Sequence, residues 1–352
     1  MISEDLYKQL LAAAALAPSA DNMQPWRFQN EQNHILAFYE RDRALPTDTL
    51  DMFGFISLGA AIQNIVVYAE NIGLKATVTY LTSDMGDPFA KIHFEKDTIS
   101  NDLAQYIPTR KTNRAPFEVE RKIKDDTLAH LKNSISNFDI SLQTTSNPEH
   151  FSVIANLDAH SSYIRLEYRP FHDELFEVLR FSDQENEKYR YGLTFESLEV
   201  PGFAISFAKF LKYYFFNDLV SKLGFGKLVA FNLSRKLKKT GCLCLFSCNS
   251  QRPEEYMEAG RALEQFWLTC TQMGISVQPY GVLPQYLTKL DVDPEFFTEK
   301  YRKKLASHKE KFRIIFPDNE TPFPAILLRI GLTDQISKRS SIRLSTNNIN
   351  AN

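Results

Sequence analysis

The chain has little cysteine, little histidine and no excess of charge of either sign. Four cysteines among 352 residues are too few for a disulfide framework. Cys242, Cys244 and Cys248 lie close together, but no C-x-x-C pair and no neighbouring histidine completes a zinc site, so no metal is expected. The alternation through Gly241-Cys242-Leu243-Cys244-Leu245-Phe246 reads instead as a buried strand, its thiols core groups in a reducing compartment. A net charge of -2 and a pI near 6.4 give no basic field for nucleic acid. No G-x-G-x-x-G occurs, so no separate nicotinamide-binding domain is indicated. No stretch is expected to reach the roughly 18 to 20 uncharged apolar residues of a membrane span. The apolar run from Leu10 to Leu16 follows Glu4 and Asp5 and is too short for a signal peptide, which points to a core helix and a cytoplasmic protein.

What is present is a 43% apolar content, enough for one large domain or two of ordinary size. Residues 3 to 16 read as a helix with Leu6, Leu10, Leu11 and Ala14 on one face. Strands at 27–29 and 34–40 flank a polar turn. Residues 51 to 72 form a long helix, apolar nearly all round and therefore central, ended by Gly73. Strands follow at 77–81 and 89–94, then a helix at 125–138 and a strand at 140–144. Residues 150 to 180 are largely helical; 241–247 is a strand, 254–273 a helix closed by Gly274, and 325–330 a buried strand. The polar stretch 345–352 reads as a disordered tail.

Two segments carry chemistry. The first is Ala17-Pro18-Ser19-Ala20-Asp21-Asn22-Met23-Gln24-Pro25-Trp26-Arg27-Phe28. Pro18 stops the first helix, Pro25 pushes Gln24 towards an extended form, and Trp26 begins a strand. A turn displaying the Ser19 hydroxyl and the Asn22 and Gln24 amides suits a flat, polar-edged ligand such as a flavin; an ordinary polar loop is the bland alternative. The second is Arg110-Lys111-Thr112-Asn113-Arg114, bracketed by Pro108 and Pro116. Guanidinium groups and a hydroxyl in a stiff loop make a phosphate clamp, because arginine binds phosphate oxygens in pairs. A solvated basic loop is the competing reading.

The first segment resembles the A-P-S-x-x-N-x-Q-P-W-x-F signature of the nitroreductase family, flavin oxidoreductases that bind FMN. The second resembles the R-x-[ST]-x-[RK] segment with which that family holds the FMN phosphate, in the R-x-T-x-R form of its Acg-like branch. His172-Asp173-Glu174-Leu175 resembles that branch's H-x-E-L-x-x-W-x-R, with Val178 where tryptophan is usual, and Tyr191-Gly192-Leu193 resembles its D-G-[IL] turn. The resemblance implies an α+β, nitroreductase-like fold with mixed or antiparallel sheets flanked by helices.

A weak internal repeat accompanies it. Gly59-Ala60-Ala61-Ile62 and Gly73 correspond to Gly260-Arg261-Ala262-Leu263 and Gly274, both glycine pairs lying 201 residues apart. The first half, 1–105, has the turn but no clamp; the second, 106–343, opens with the clamp but lacks the turn. The resemblance therefore implies a fused pseudo-dimer with one complete FMN site. Carried over, Arg110 and Thr112 hold the FMN phosphate, Asn113 is a further cofactor-binding candidate, and Arg114 lies nearer the ring. Pro18, Ser19 and Asn22 contact the flavin, with Gln24 supporting the turn. Pro279, Tyr280 and Gly281 pass the reactive face, and Lys338 and Arg339 complete the phosphate site, though Ser340-Ser341 replaces the usual arginine-proline.

The implied activity is hydride transfer from NADH or NADPH to FMN and on to a small electron-poor acceptor, with no obligatory side-chain acid or base. An FMN-storing or sequestering protein is the alternative. Residues 203–240 are aromatic and basic and lie outside the resemblance. A basic amphipathic helix can lie on a membrane, but a helical cover over the core is the favoured reading, with a substrate lid as a further role open to it. Neither nucleic acid nor membrane is expected as a partner; the chain is expected as a monomeric pseudo-dimer or a homodimer.

Overall fold

The computed structural model describes residues 2–82, 84–98, 100–198, 202–222, 224–317, 323–335, 337 and 341–351. Its frame starts with helix α1 (Glu4–Ala15). Ser3 Oγ accepts from Leu6 N–H at 3.2 Å, and Glu4 and Asp5 sit at the positive end of the helix. Strands β1 (Trp26–Glu31) and β2 (His34–Tyr39) form the expected hairpin, followed by α2 (Met52–Asn71), β3 (Leu74–Tyr80) and β4 (Pro88–Lys96). Gly73 and Gly274 take the left-handed conformation at the ends of their helices, φ 76° and 68°.

The chain continues through α3 (Asp125–Asn133), β5 (Ser141–Thr145), α4 (Pro148–Glu167), α5 (Arg169–Val178), β6 (Leu179–Arg180), α6 (Asp183–Tyr189) and β7 (Leu193–Thr194). Then come α7 (Gly202–Leu211), α8 (Tyr214–Lys222), α9 (Phe225–Leu237), β8 (Cys242–Cys248), α10 (Pro253–Gln272) and β9 (Ser276–Tyr280). The last elements are α11 (Val282–Val292), α12 (Glu299–Ile315), β10 (Phe323–Gly331) and α13 (Thr346–Ile349). The architecture is α+β, with antiparallel sheets flanked by helices, as expected from the sequence.

The two four-stranded sheets have the orders β1-β2-β4-β3 and β5-β8-β10-β9. Matching β1 to β5, β2 to β8, β3 to β9 and β4 to β10 makes these orders the same. All pairings in both sheets are antiparallel. In each, the long helix, α2 or α10, falls between the second and third strands of its set.

The two long helices cross backbone to backbone. A Cβ on Gly59 would lie 2.0 Å from the carbonyl oxygen of Met257, and one on Gly260 would lie 2.0 Å from that of Ile56. Each glycine thus meets the residue three positions before the other. Exchanging each residue for its counterpart in the other half, 59 for 260 and 257 for 56, turns one contact into the other, the reciprocal pattern of a two-fold axis. α2 and α10 lie in one continuous apolar core that includes Phe55, Ile62, Phe266 and Trp267. Thr49–Asn71 is long and apolar enough to cross a membrane by length and composition, contrary to the sequence expectation; 94% of that window is buried in the protein. All four cysteines are free and buried.

Residues 345–351 are ordered, which corrects the expectation of disorder at 345–352 as far as the described residues reach. Ile349 is fully buried, Ala351 N–H donates to Phe28 O at 2.7 Å, and Asn350 bridges to Phe28 beside the sheet edge. Tyr7 Oη donates to Phe28 O at 2.8 Å and to Asn350 Oδ1 at 3.0 Å. Backbone pairing to β1 and one apolar anchor order a stretch whose composition is polar.

Candidate functional site

The turn after α1 is built from strained backbone. Asp21, Asn22 and Gln24 all have positive φ, 45°, 58° and 53°. Asparagine and aspartate tolerate this region; glutamine needs its surroundings to hold it there. Ser19 Oγ accepts from Gln24 N–H at 3.0 Å, closing the turn, while Pro18 is half-buried at its start. Gln24 is fully buried. Its Nε2 donates to Asn22 O and Arg190 O at 3.2 and 2.9 Å, and its Oε1 accepts from Leu344 N–H at 2.8 Å. Asn22 Nδ2 donates to Gly192 O at 3.1 Å and Ile342 O at 3.0 Å. Both amides therefore bind the turn at 190–192 and the tail at 342–344.

The 110–114 segment docks beside this turn. Arg110 points inward: a terminal guanidinium nitrogen donates to Leu16 O at 2.8 Å, its Nε lies 3.0 Å from Glu264 Oε1, and its guanidinium stacks 4.6 Å from the Trp267 ring. Both partners of the ion pair are essentially inaccessible. The contact is close but misaligned, since neither Glu264 oxygen accepts a well-formed hydrogen bond from a described residue. Thr112 pairs with Val277 in an isolated bridge. Asn113 is a brace: its N–H donates to Val277 O at 2.9 Å, and its Nδ2 to Ser276 Oγ and Gln335 O at 3.0 and 2.7 Å. Arg114 donates to Ser197 O at 2.7 Å.

Pro279 and Tyr280 lie on β9 opposite Leu328 and Leu327. Tyr280 Oη donates to Gln278 Oε1 at 3.3 Å, and burial pushes its hydroxyl up to about 12. Gly281 lies under Phe53, where an added Cβ would come within 2.6 Å of the ring. Lys338 and Arg339 lie outside the described residues. The structure thus brings together the 19–24 turn and Arg110, and anchors the 110–114 loop through Thr112 and Asn113 to β9.

Four charged residues near these segments were not singled out from the sequence. Arg343 donates to Asn22 Oδ1. Burial brings its guanidinium down to about 9, with Arg110 adding to that effect and Glu264 opposing it. No described carboxylate lies within ion-pair distance of Arg343. Burial pushes Glu264 up to about 7, against Arg110 and Arg343. Buried Arg110 and half-buried Arg343 therefore share one glutamate that burial pushes towards its neutral form, leaving at least one positive charge uncompensated by a described carboxylate. On the other side of the turn, Arg165 pairs with Asp21 and lies 3.8 Å from Glu174, which accepts from Thr47 N and Oγ1 at 2.6 Å. Asp158, nine-tenths buried or more, is pushed up to about 7 by burial. Arg343 ends the basic run that starts at Lys338, a visible signal. Glu264, a carboxylate inside the apolar run Ala262-Leu263-Glu264-Gln265-Phe266-Trp267, was another.

A cleft of 970 Å³ opens beside the turn, with Met23 and Tyr191 in its wall. Its other walls include Phe176 and Phe181 and the carboxylates Asp42 and Glu177. None of the site residues expected from the sequence lines it.

No family model matches the chain. Among curated proteins, it is 23% identical over 308 residues to the uncharacterized protein MT1398 of Mycobacterium tuberculosis, covering 84% of this chain and 42% of that one. It is 30% identical over 124 residues to the putative NAD(P)H nitroreductase acg of Mycobacterium tuberculosis, covering 33% and 37%. The chain spans about two fifths of the length of these relatives. Among solved structures, it is similar to a nitroreductase with bound FMN from Bacteroides fragilis, with a TM-score of 0.37 and 12% identity over 69% of this chain and 95% of that one. It is similar also to the FMN and NADPH-dependent nitroreductase NfnB from a Sphigopyxis species, with a TM-score of 0.39 and 14% identity over 70% and 97%.

Proposed function

We propose that this chain is an FMN-dependent oxidoreductase of nitroreductase type, made of two related halves (1–105 and 106–343) that share one cofactor site. The observation that carries the reading is the meeting of buried Arg110 and half-buried Arg343 around the single carboxylate Glu264 at the foot of the 19–24 turn, an excess of positive charge that would favour an anion beside Arg343. The two family-like signatures meet there, and the local sequence similarity to a putative nitroreductase supports the class. The reciprocal Gly59–Gly260 crossing and the shared strand order support a fused pseudo-dimer.

The residues present fit a phosphate better than they fit a ring. Arg343 and Thr112 would hold the FMN phosphate, with Lys338 and Arg339 as further candidates and Arg110, turned inward to Leu16 O and Glu264, adding its charge from behind. Arg114 would lie nearer the ring, opposite Pro279, Tyr280 and Gly281. Pro18 and Ser19 would approach from the first half. Asn22 and Gln24 act mainly by fixing the turn, because their side chains are already bonded to backbone. FMN, when bound, would supply the two-electron chemistry between NADH or NADPH and an electron-poor acceptor such as a nitroaromatic or quinone. The acid-lined cleft suits a neutral or cationic ring better than an anion.

A second reading, FMN storage or shielding, is favoured by one observation: the tail and the 190–192 turn already cover the amides of the first signature. An anaerobic titration of the FMN-loaded protein with NADPH and then NADH separates the two. Bleaching of the flavin band is expected for the oxidoreductase. A bound flavin that stays oxidised would leave the shielding role, and failure to bind FMN would overturn both. Stoichiometry should approach one FMN per chain; two would refute the shared site.

A further inference from the structure

The outer face of α7–α9 is where large apolar side chains gather on the surface. Phe207 and Phe210 lie one turn apart on α7, and Phe215 and Leu219 one turn apart on α8. All four are exposed, as is Phe231 on α9; Tyr213 is 67% exposed and Phe215 74%. The rings at the α7–α8 corner touch one another. Phe216 stacks on Phe210 at 4.1 Å between centroids and meets Phe215 edge-on at 5.5 Å. The inner side of these helices is held to the body: Tyr214 Oη and Asn217 Nδ2 donate to the carbonyls of Glu167 and Leu166 at 3.0 and 2.6 Å. The insertion is therefore held to the body on its inner side and exposes large apolar side chains on its outer one.

The same segment is strongly basic. Residues 202–239 contain eight lysines and arginines and one acid, Asp218, within a chain of net charge -2. Lys209, Lys227, Lys238 and Lys239 are exposed, and no described carboxylate lies within ion-pair distance of them. We propose that this face docks on an anionic lipid bilayer, the aromatic corner entering the headgroup region and the lysines meeting the lipid charge. The charge selects the partner. A second copy of the same face would set like charges against each other. A nucleic acid would satisfy the cations, but the clustered phenylalanines are packed on one another rather than laid out as a platform for bases. The inference does not depend on flavin binding.

Tryptophan fluorescence tests it. The chain has two tryptophans, Trp26 and Trp267, both buried, so Phe215→Trp adds a reporter against an invariant background. Vesicles of phosphatidylcholine with one third phosphatidylglycerol, in low salt, should shift the added emission to the blue and carry the protein down on centrifugation. Phosphatidylcholine alone should not, and high salt should reverse the effect. Lys227→Glu, Lys238→Glu and Lys239→Glu together should lower partition on the order of a hundredfold with the far-UV spectrum unchanged. Phe231→Trp and sedimentation of the unmodified chain provide the same readings should Phe215→Trp fail to fold. Four results would overturn the proposal: no shift or sedimentation with anionic vesicles, equal binding to neutral ones, self-association that shifts the reporter without lipid, or a shift with single-stranded DNA only.

Discussion

The first sheet and the second share a strand order and differ in almost everything that joins the strands. β1 and β2 are connected by Gln32 and Asn33 alone; their counterparts β5 and β8 are separated by residues 146–241. Residues 81–87 link β3 to β4, whereas 281–322 link β9 to β10. The helices differ too: α2 is buried nearly all round, while α10 begins with Glu254 and Glu255 and turns a polar side to solvent. A common frame persists because strand pairing and the glycine crossing constrain it. The connections, which loop-closure entropy penalises only slowly with length, are free to grow. The compact half carries the signature turn and the elaborated half carries the arginines and the cover.

The sharpest way to break this comparison is at the crossing. Gly59→Ala and Gly260→Ala should each cost about 3 kcal/mol, because the new methyl meets a backbone carbonyl that cannot step aside. Urea midpoints of the two variants should match. If one is tolerated and the other is not, the halves do not cross equivalently.

Glu264 has no counterpart in charge on the first long helix, where Gln63 and Asn64 are the buried polar groups at that level. Its folded-state pKa, about 7, lies above the ordinary carboxyl value of 4.5, so the native state holds this proton more tightly than the unfolded chain does. The ionised group therefore detracts from stability above neutral pH, and the penalty fades as pH falls towards the unfolded value. Relative to Glu264→Gln, the wild-type chain should gain about 3 kcal/mol between pH 8 and pH 5. A pH-independent difference in denaturant midpoints would show that the carboxyl titrates normally.

Arg343→Ala tests whether the second half's end serves the first half's turn. It should weaken FMN binding by about tenfold or more, the worth of one charge-assisted contact. Equilibrium dialysis with FMN measures this, and unchanged affinity would remove Arg343 from the site. The smallest effects concern the opening helices. Ser3 caps α1, but Lys124 offers no side-chain cap to α3. Ser3→Ala should lower stability by about 1 kcal/mol and Lys124→Ser should raise it by a similar amount. Thermal melts showing the reverse signs would mean that these ends are governed by packing rather than by their caps.

The frame was legible because its signals are local. Periodic apolar residues and the closing glycines at 73 and 274 marked the long helices, and alternation marked Cys242–Cys248. Ser19 and Gln24 were readable as parts of a turn, since proline on either side excludes regular structure. The direction of Arg110 was not readable, because it is set by Glu264 and Trp267, side chains more than a hundred and fifty residues further on. The order of the tail was hidden for a related reason. Most of what fixes it is backbone pairing to Phe28, which leaves no mark in composition. Arg343 was visible as a cation but not as the one that would reach Asn22.

The bonds from Asn22 to Ile342 O and from Leu344 N–H to Gln24 Oε1 each span 320 residues of chain. On the ribosome, the turn at 19–24 emerges 320 residues before the segment that supplies its final supports. Throughout that interval Asn22 and Gln24 lack the bonds to residues 342–344 that complete the support of their left-handed backbone. A nascent chain stalled before residue 342 should thus carry an unfinished turn, its amides still waiting for the far segment that completes their bonding.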